Sequence, residues 1–238
     1  MSLNKTHIEW TDYTWNPITG CKNGCPYCYA RKIALRFQGG FEPAVHTERM
    51  FDPDGMKKPS KIFACSMGEW FGEWVPQQWF DWCIEAIRRN PIHQFQVLTK
   101  CNTQIPVKLA KYKNRIPNNM WIGVSVVNEE NLIKLNDLMF AQGGIRFVSF
   151  EPLHGDINLE KEAIADWVFS TIDWVIVGAE TGNRKGKITP QPEWVEKLVD
   201  KCAEYKKPIF MKNNLKQYYD GEIKQEFPQG MLLDTQEA

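Results

Sequence analysis

Residues 13–30 read YTWNPITGCKNGCPYCYA, a β-prone apolar run followed at once by a loop carrying Cys21, Cys25 and Cys28. The spacing is C-x3-C-x2-C, and Gly20, Gly24 and Pro26 describe a tight ligand loop rather than a core strand. A structural zinc site wants four ligands, so His46 or His7 would have to complete a Cys3His set. A ferredoxin-type electron carrier would supply four thiolates per cluster. Three thiolates on a 4Fe–4S cluster instead leave one iron open, and a small molecule with an amine and a carboxylate can chelate it. A zinc-stabilised nucleic-acid-binding protein and a purely structural or electron-transfer cluster remain the alternatives.

Working outward, the chain alternates β-rich apolar runs with helical segments. The expected strands are YTWNPI, KIFACS, FQVLTK, MWIGVSV, IRFVSFE, DWVIVGA and PIFMKN, nearly continuous apolar runs as in parallel strands covered on both faces. Between them, PQQWFDWCIEAIRR predicts a helix with Trp79, Trp82, Cys83, Ala86 and Ile87 on one apolar stripe. QPEWVEKLVDKCAEYKK does the same with Trp194, Val195, Leu198 and Cys202, and helices are also expected within 102–113, 128–142 and 159–169. This pattern predicts an α/β protein: a partial or full parallel (βα) barrel, TIM-barrel-like, of six to seven βα units. It is expected to form one domain over residues 1–238, with a C-terminal rim segment at about 213–238. Sites in such barrels gather at the C-terminal strand ends, where the cysteine loop follows the first strand.

The 238 residues are 43% apolar and 24% charged, with 29 basic against 29 acidic side chains, so no global field draws the chain to a polyanion or a membrane. The N-terminus has no signal-like apolar region, and no run of eighteen apolar residues occurs. Seven cysteines, an odd number, do not read as a disulfide framework, and the expectation is a cytoplasmic protein with no membrane partner. Cys65, Cys83 and Cys202 read as core packing. Cys101, just past a strand end, faces the expected site and is a candidate redox-active thiol or second hydrogen-atom donor, with inert packing as the plain alternative.

The cysteine array with Tyr27 before its last cysteine resembles the signature of the radical S-adenosylmethionine superfamily. More narrowly, HIEWTDYTWNPITGC (7–21), WIGVSVVNEEN (121–131), FVSFEPLHGDI (147–157) and DWVIVGAETG (173–182) resemble a phage-associated three-cysteine-motif family over nearly the whole chain. The resemblance implies a 4Fe–4S cluster on Cys21, Cys25 and Cys28, and S-adenosylmethionine on the open iron. It further implies reductive cleavage to a 5′-deoxyadenosyl radical that abstracts hydrogen from a substrate, a nucleotide or nucleic acid being the leading candidate. An external electron donor such as flavodoxin or ferredoxin follows from the same chemistry.

The resemblance also assigns residues. Tyr27 would lie by the adenine, and Gly68 and Glu69 stand where the superfamily often has Gly-Gly-Glu, with Met67 replacing the first glycine. Ser125 and Asn128 suit ribose hydroxyls, with helix N-capping as the plain alternative. Glu151, Gly178 and Glu180 close successive strands, and Lys100 and Lys212 are the expected counterions of the two acids, because isolated buried carboxylates are costly. A closed salt-bridge network without chemical role is the rival reading. Read from the residues alone, Trp70 and Trp74 are candidate stacking platforms for a base or, equally, a cap on the barrel or a cover on the cofactor, and Arg184, beside Lys185 and Lys187, is a candidate phosphate grip. The run Lys108, Lys111, Lys113 and Arg115 reads as solvated, and His154 as a loop histidine without a role.

Overall fold

The computed structural model describes residues 3–37 and 39–229. Its strands are β1 (Asn4–Lys5), β2 (Tyr13–Trp15), β3 (Ile18–Thr19), β4 (Ala44–Val45), β5 (Lys61–Ala64), β6 (Gln94–Thr99), β7 (Met120–Ser125), β8 (Arg146–Phe150), β9 (Trp174–Val177) and β10 (Ile209–Met211). The helices are α1 (Tyr29–Phe37), α2 (Gln77–Arg89), α3 (Gln104–Leu109), α4 (Leu135–Leu138), α5 (Glu162–Thr171) and α6 (Pro192–Glu204). One sheet runs β1-β2-β5-β6-β7-β8-β9-β10, parallel from β2 to β10, with β1 antiparallel at its edge. All seven expected parallel strands are present. Among the described residues no helix is long and apolar enough to cross a membrane.

The sheet is curled. Trp10, just before β2, meets the ring of Trp174 on β9 at 6.3 Å between centroids. Five strand spacings separate β2 from β9 in the sheet order, about 24 Å if the sheet were flat. An inward layer of aromatics fills the space: Trp174 also touches Trp121, Phe147 and Phe210. Gly123, opposite Phe147 in the register, has no side chain because the Phe147 ring occupies that volume.

Several expectations change in detail. The buried face of α2 is Phe80, Cys83, Ile84, Ala86 and Ile87, while Trp82 is exposed, so the stripe is rotated by about one position. Much of 128–142 is 3-10 helix, over Glu129–Lys134, before the short α4. Lys108 is not solvated: it is buried, with its ammonium on the Val75 carbonyl at 2.7 Å, and burial lowers its pKa. Cys65 lies just past β5 in a left-handed conformation (φ 85°), its thiol on the Leu98 carbonyl.

Within the expected rim segment, residues 224–227 form a lateral seam. Met211 N–H donates to the Lys224 carbonyl and Glu226 N–H to the Ile209 carbonyl, so 224–226 pairs with the outer edge of β10. Phe227 then stacks on Trp174 at 5.5 Å, and Trp174 Nε1 donates to the Glu226 carbonyl. On the other side, Glu9 accepts bonds from Asn213 and Gln225, joining the two ends of the sheet order. Residues 230–238 of that segment lie outside the described residues. Phe227 is half-buried, so Phe227→Ala should cost about 1–2 kcal/mol of unfolding free energy, below the scale for emptying a fully buried phenylalanine site. Urea denaturation checks this, and an unchanged midpoint would mean that the seam does not support the barrel.

Candidate functional site at the barrel mouth

The cysteine loop is fixed by backbone contacts that two glycines permit. Gly20 forms a parallel bridge with Gly68, and Gly20 N–H donates to the Met67 carbonyl at 2.9 Å. Gly20 has φ +83°, and a β-carbon there would lie 2.2 Å from the Glu42 carbonyl oxygen; one on Gly68 would lie 2.5 Å from that of Ile18. Asn16 ties the same loops together, its Oδ1 accepting from Met67 N–H and its Nδ2 donating to Ser66 Oγ. The Asn23 N–H donates to Cys21 Sγ, and the Arg31 N–H, in the first turn of α1, donates to Cys28 Sγ. Helix N-termini favour thiolate in this way. Arg31 also donates to the Cys21 carbonyl, bracing the loop from both ends.

Burial pushes the Cys21 thiol up to about 11, and Glu69 and the other two cysteines add to the rise. Among the described residues, however, no three His, Cys, Asp or Glu side chains converge on one point where a single ion would sit. His46 bonds Thr19 Oγ1 instead, and His7 is exposed. Three cysteines on one loop, with neither histidine beside them, are a donor set that fits three irons of a cluster and lacks the fourth ligand of a structural zinc.

The strand register places Ser125, Ser149, Ile176 and Phe210 in one inward layer at the C-terminal strand ends. Ser149 Oγ is buried without a partner among the described residues, and so is Asn128 Oδ1. Asn128 does precede a 3-10 helix, but its side chain makes no capping bond. Lys100 Nζ donates to Ser125 Oγ at 3.1 Å, and Lys134 Nζ to the Ser125 carbonyl at 2.8 Å. Among the described residues neither ammonium has a carboxylate within ion-pair distance. Lys134 is depressed by burial and then by Lys100. Lys100 also lies 5.8 Å over the Tyr27 ring. The expectation that it neutralises a strand-end acid is therefore corrected.

The acids find other partners. Glu151 pairs with Lys212, as expected, across Gly178, where a β-carbon would press on both side chains. Glu180 receives two bonds from Arg184, at 2.7 and 2.9 Å, and one from His154 at 2.9 Å. Arg184 is thus committed to an internal acid and is no free phosphate grip. His154, read as idle from the sequence, joins the site, since its ring meets Tyr27 edge-on at 5.2 Å. Cys101 also belongs here, its thiol on Asn23 Oδ1 at 3.3 Å and pushed up to about 12 by burial.

Glu69 is buried and faces inward. Oε1 accepts from Phe71 N–H and Thr99 Oγ1, and Oε2 from Lys100 N–H. Burial holds it above the usual carboxylate range. Its role in this geometry is to lock the loop after β5 to the end of β6, not to meet an ammonium directly. Trp70 is likewise corrected: it is fully buried against Trp15 at 5.6 Å. Trp74 covers Gly72 and packs on the core, so neither indole forms an open stacking platform. A separate cavity of about 690 Å³ lies at the opposite end of the barrel, lined by Ile145, Asp173, Pro208 and Phe227, away from all this chemistry.

Together these features define an open parallel α/β barrel whose mouth carries a three-thiol loop beside two cations that, among the described residues, lack carboxylate partners. The chain belongs to the family described as Protein of unknown function (DUF5131), whose model matches residues 5–237. No curated protein matches its sequence. Among solved structures it is similar to spore photoproduct lyase, in a doubly substituted form with bound AdoMet and dinucleoside spore photoproduct. That match has a TM-score of 0.55 and 11% identity, covering 92% of this chain and 77% of that one. A singly substituted form of the lyase with dinucleoside spore photoproduct gives the same figures. Another single mutant of it gives a TM-score of 0.54 at 11% identity over 93% and 78%. At such identity the likeness shows the fold.

Glu69→Gln should lower unfolding stability by about 1–3 kcal/mol, because an amide leaves one buried donor facing another. A full-strength urea transition would detach Glu69 from the loop lock. Glu180 is held below the usual carboxylate range first by Arg184 and also by His154, against burial. A depressed acid stabilises the fold above its unfolded pKa and loses that contribution as pH falls through its folded one. Glu180→Gln should therefore unfold earlier than the parent at pH 7, with the gap closing on acidification. A gap independent of pH would mean that the charge does not matter.

Proposed function

We propose that this protein is a radical S-adenosylmethionine enzyme acting on a nucleotide or nucleic acid. The observation that carries the reading is the three-thiol loop opening beside Lys100 and Lys134, two ammonium groups with no carboxylate of their own among the described residues. Cys21, Cys25 and Cys28 would hold a 4Fe–4S cluster, and the orphaned Asn128 Oδ1 and Ser149 Oγ are polar atoms waiting for a ligand. With both groups bound, the chemistry supplied is one-electron cleavage of S-adenosylmethionine to a 5′-deoxyadenosyl radical that abstracts hydrogen.

The chain's own residues bind and orient. Lys100 and Lys134, positioned on Ser125, suit the carboxylate of the methionine moiety, since charge-assisted bonds to a desolvated anion are the strong ones. Asn128 Oδ1 would accept from a ribose hydroxyl, and Ser125 Oγ accepts from Lys100. Tyr27, held edge-on by His154, would border the adenine. Gly68 brings the backbone of the second loop against the cysteine loop, and Glu69 keeps it there. Gly178 leaves room for the Glu151–Lys212 pair, which with Glu180, His154 and Arg184 closes the opposite wall. These matched pairs exclude water without offering a free charge.

The solved spore photoproduct lyase structures, with AdoMet and a dinucleoside on the same kind of fold, support both the cofactor and the substrate class. The narrower likeness to phage-associated three-cysteine-motif proteins is part of the reading. So is a reducing cytoplasm, which suits seven free cysteines.

Anaerobic reconstitution should give a brown protein with four irons per chain, and Cys21→Ala, Cys25→Ala or Cys28→Ala should abolish the colour. Cys83→Ala and Cys202→Ala should leave it. With dithionite and S-adenosylmethionine the parent should release 5′-deoxyadenosine. Lys134→Met should weaken S-adenosylmethionine binding about tenfold, the scale of one charge-assisted bond. Colourless protein holding one zinc would overturn the proposal, and brown protein that never cleaves the cofactor would reduce it to a structural or electron-transfer cluster.

A further inference from the structure

Two stretches of chain without an acid meet at the C-terminal ends of β9 and β10. Residues 181–192 carry Arg184, Lys185 and Lys187, and residues 208–219 carry Lys212 and Lys216, with no Asp or Glu in either. The protein as a whole is balanced at 29 against 29. Asn214 joins the two stretches: its Nδ2 donates to the Ala179 carbonyl at 2.8 Å, and its Oδ1 accepts from the Ala179 N–H at 3.1 Å. Leu215 is buried, and the N–H groups of Tyr218 and Tyr219 turn back onto its carbonyl. The second stretch is thereby pinned beside the loop that carries Glu180.

The cations there are of two kinds. Arg184 and Lys212 are committed to Glu180 and Glu151. Among the described residues Lys185, Lys187 and Lys216 have no carboxylate within ion-pair distance. Arg184 also braces its own turn: Nη1 donates to the Lys185 carbonyl at 3.2 Å, and the Lys187 N–H donates to the Arg184 carbonyl at 3.1 Å. Buried Glu180 therefore holds the turn through Arg184, and the lysines on either side of Gly186 are left outside it. Gly186 has φ +74°, which lets the chain reverse between them. Lys187 Nζ stands 6.0 Å over the ring of half-buried Tyr218, whose hydroxyl has no hydrogen-bond partner among the described residues.

We infer that this rim holds a single strand of nucleic acid, with Lys185 and Lys187 on phosphates and Tyr218 under a base, so that the substrate is a strand and not a free nucleotide. The inference rests on the function proposed above and narrows it. Unpaired cations beside an aromatic ring are the parts of a single-strand groove, the cations tracking the backbone and the ring stacking a base. The grip lies outside the wall made by Glu180, Arg184 and His154. Inside that wall the cations already have roles, Lys100 and Lys134 toward the cofactor and Lys212 on Glu151. A ligand that reaches both the barrel interior and the rim must extend across the wall, which a strand does and a mononucleotide does not. A duplex would keep its bases stacked, away from the interior. An acidic peptide would satisfy the lysines and leave Tyr218 unused.

Fluorescence anisotropy with short labelled single strands of DNA and of RNA, on metal-free and reconstituted protein, reads the grip directly. The parent should bind at least one of the two at low salt. Lys185→Ala with Lys187→Ala should lose about tenfold in affinity. The same variant should make the plot of log affinity against log salt shallower by about 1.4, the scale for two single-strand phosphate contacts. Tyr218→Ala should lose about tenfold with that slope unchanged, while Tyr218→Phe keeps the parent affinity, because the ring and not the hydroxyl stacks. Mononucleotides, lacking neighbouring phosphates, should displace the strand only at about hundredfold excess or more. No binding of either strand to the parent would overturn the inference, as would full affinity in the lysine variant. Displacement by equimolar mononucleotide would overturn it by making a free nucleotide the ligand. Inorganic polyphosphate binding as tightly as the strand, with Tyr218→Ala without effect, would overturn it by reducing the rim to a bare polyanion grip. Strand binding by a protein that never cleaves S-adenosylmethionine would sink the cofactor reading alone, and cofactor cleavage without strand binding would sink this inference alone.

Discussion

The mouth of the barrel depends on the backbone bridge between Gly20 and Gly68. Neither position has room for a β-carbon, and Gly20 also needs a left-handed conformation. That contact welds the loop after the first parallel strand to the loop after the second. The cysteines inherit their orientation from one side of it, and Glu69 inherits its inward turn from the other. Glu69 then passes the constraint to Thr99 and the Lys100 amide, so the ammonium of Lys100 is set by a chain of bonds beginning at two hydrogens.

The mouth divides its charges into two kinds. Glu151–Lys212 and Glu180–Arg184–His154 are satisfied within the protein and behave as wall. Lys100 and Lys134 keep mutual repulsion that no acid within ion-pair distance among the described residues relieves, and burial has already made Lys134 reluctant to carry charge. Such an arrangement costs stability in the free protein and is relieved by an anion. Functional sites commonly hold this kind of unresolved electrostatics.

The sheet was legible because parallel strands covered on both faces are apolar at nearly every position, a signal that does not depend on knowing which face points inward. The cysteine loop was legible because three thiols at that spacing have few uses. The helices were harder. On α2 the tryptophans suggested a stripe, but Phe80 and Ile84 took the core, since a large indole is tolerated at a half-exposed position. Helix α1 has no strong apolar signal because its buried positions are only Ala30 and Ala34. At the site, Lys134 and His154 gave no local sign: each reaches its partner across a loop, Ser125 nine residues back and Glu180 twenty-six ahead. Trp70 misled for the opposite reason, since an aromatic beside a strand end reads as a platform until packing buries it.

The seam made by residues 224–227 has a consequence for the order of assembly. These residues are synthesised after every strand of the sheet, yet Phe227 completes the aromatic layer around Trp174 and Glu226 caps the Trp174 indole. A nascent chain can therefore pair all its strands and still hold an open side, with Trp174 and Phe210 lacking their last neighbour. Closure joins Glu9 to Gln225, 216 residues apart, so the entropy cost of a very long loop falls on the pairing of this seam. Until then the apolar interior is accessible from the side, a window in which a chaperone or another nascent chain competes with the protein's own tail.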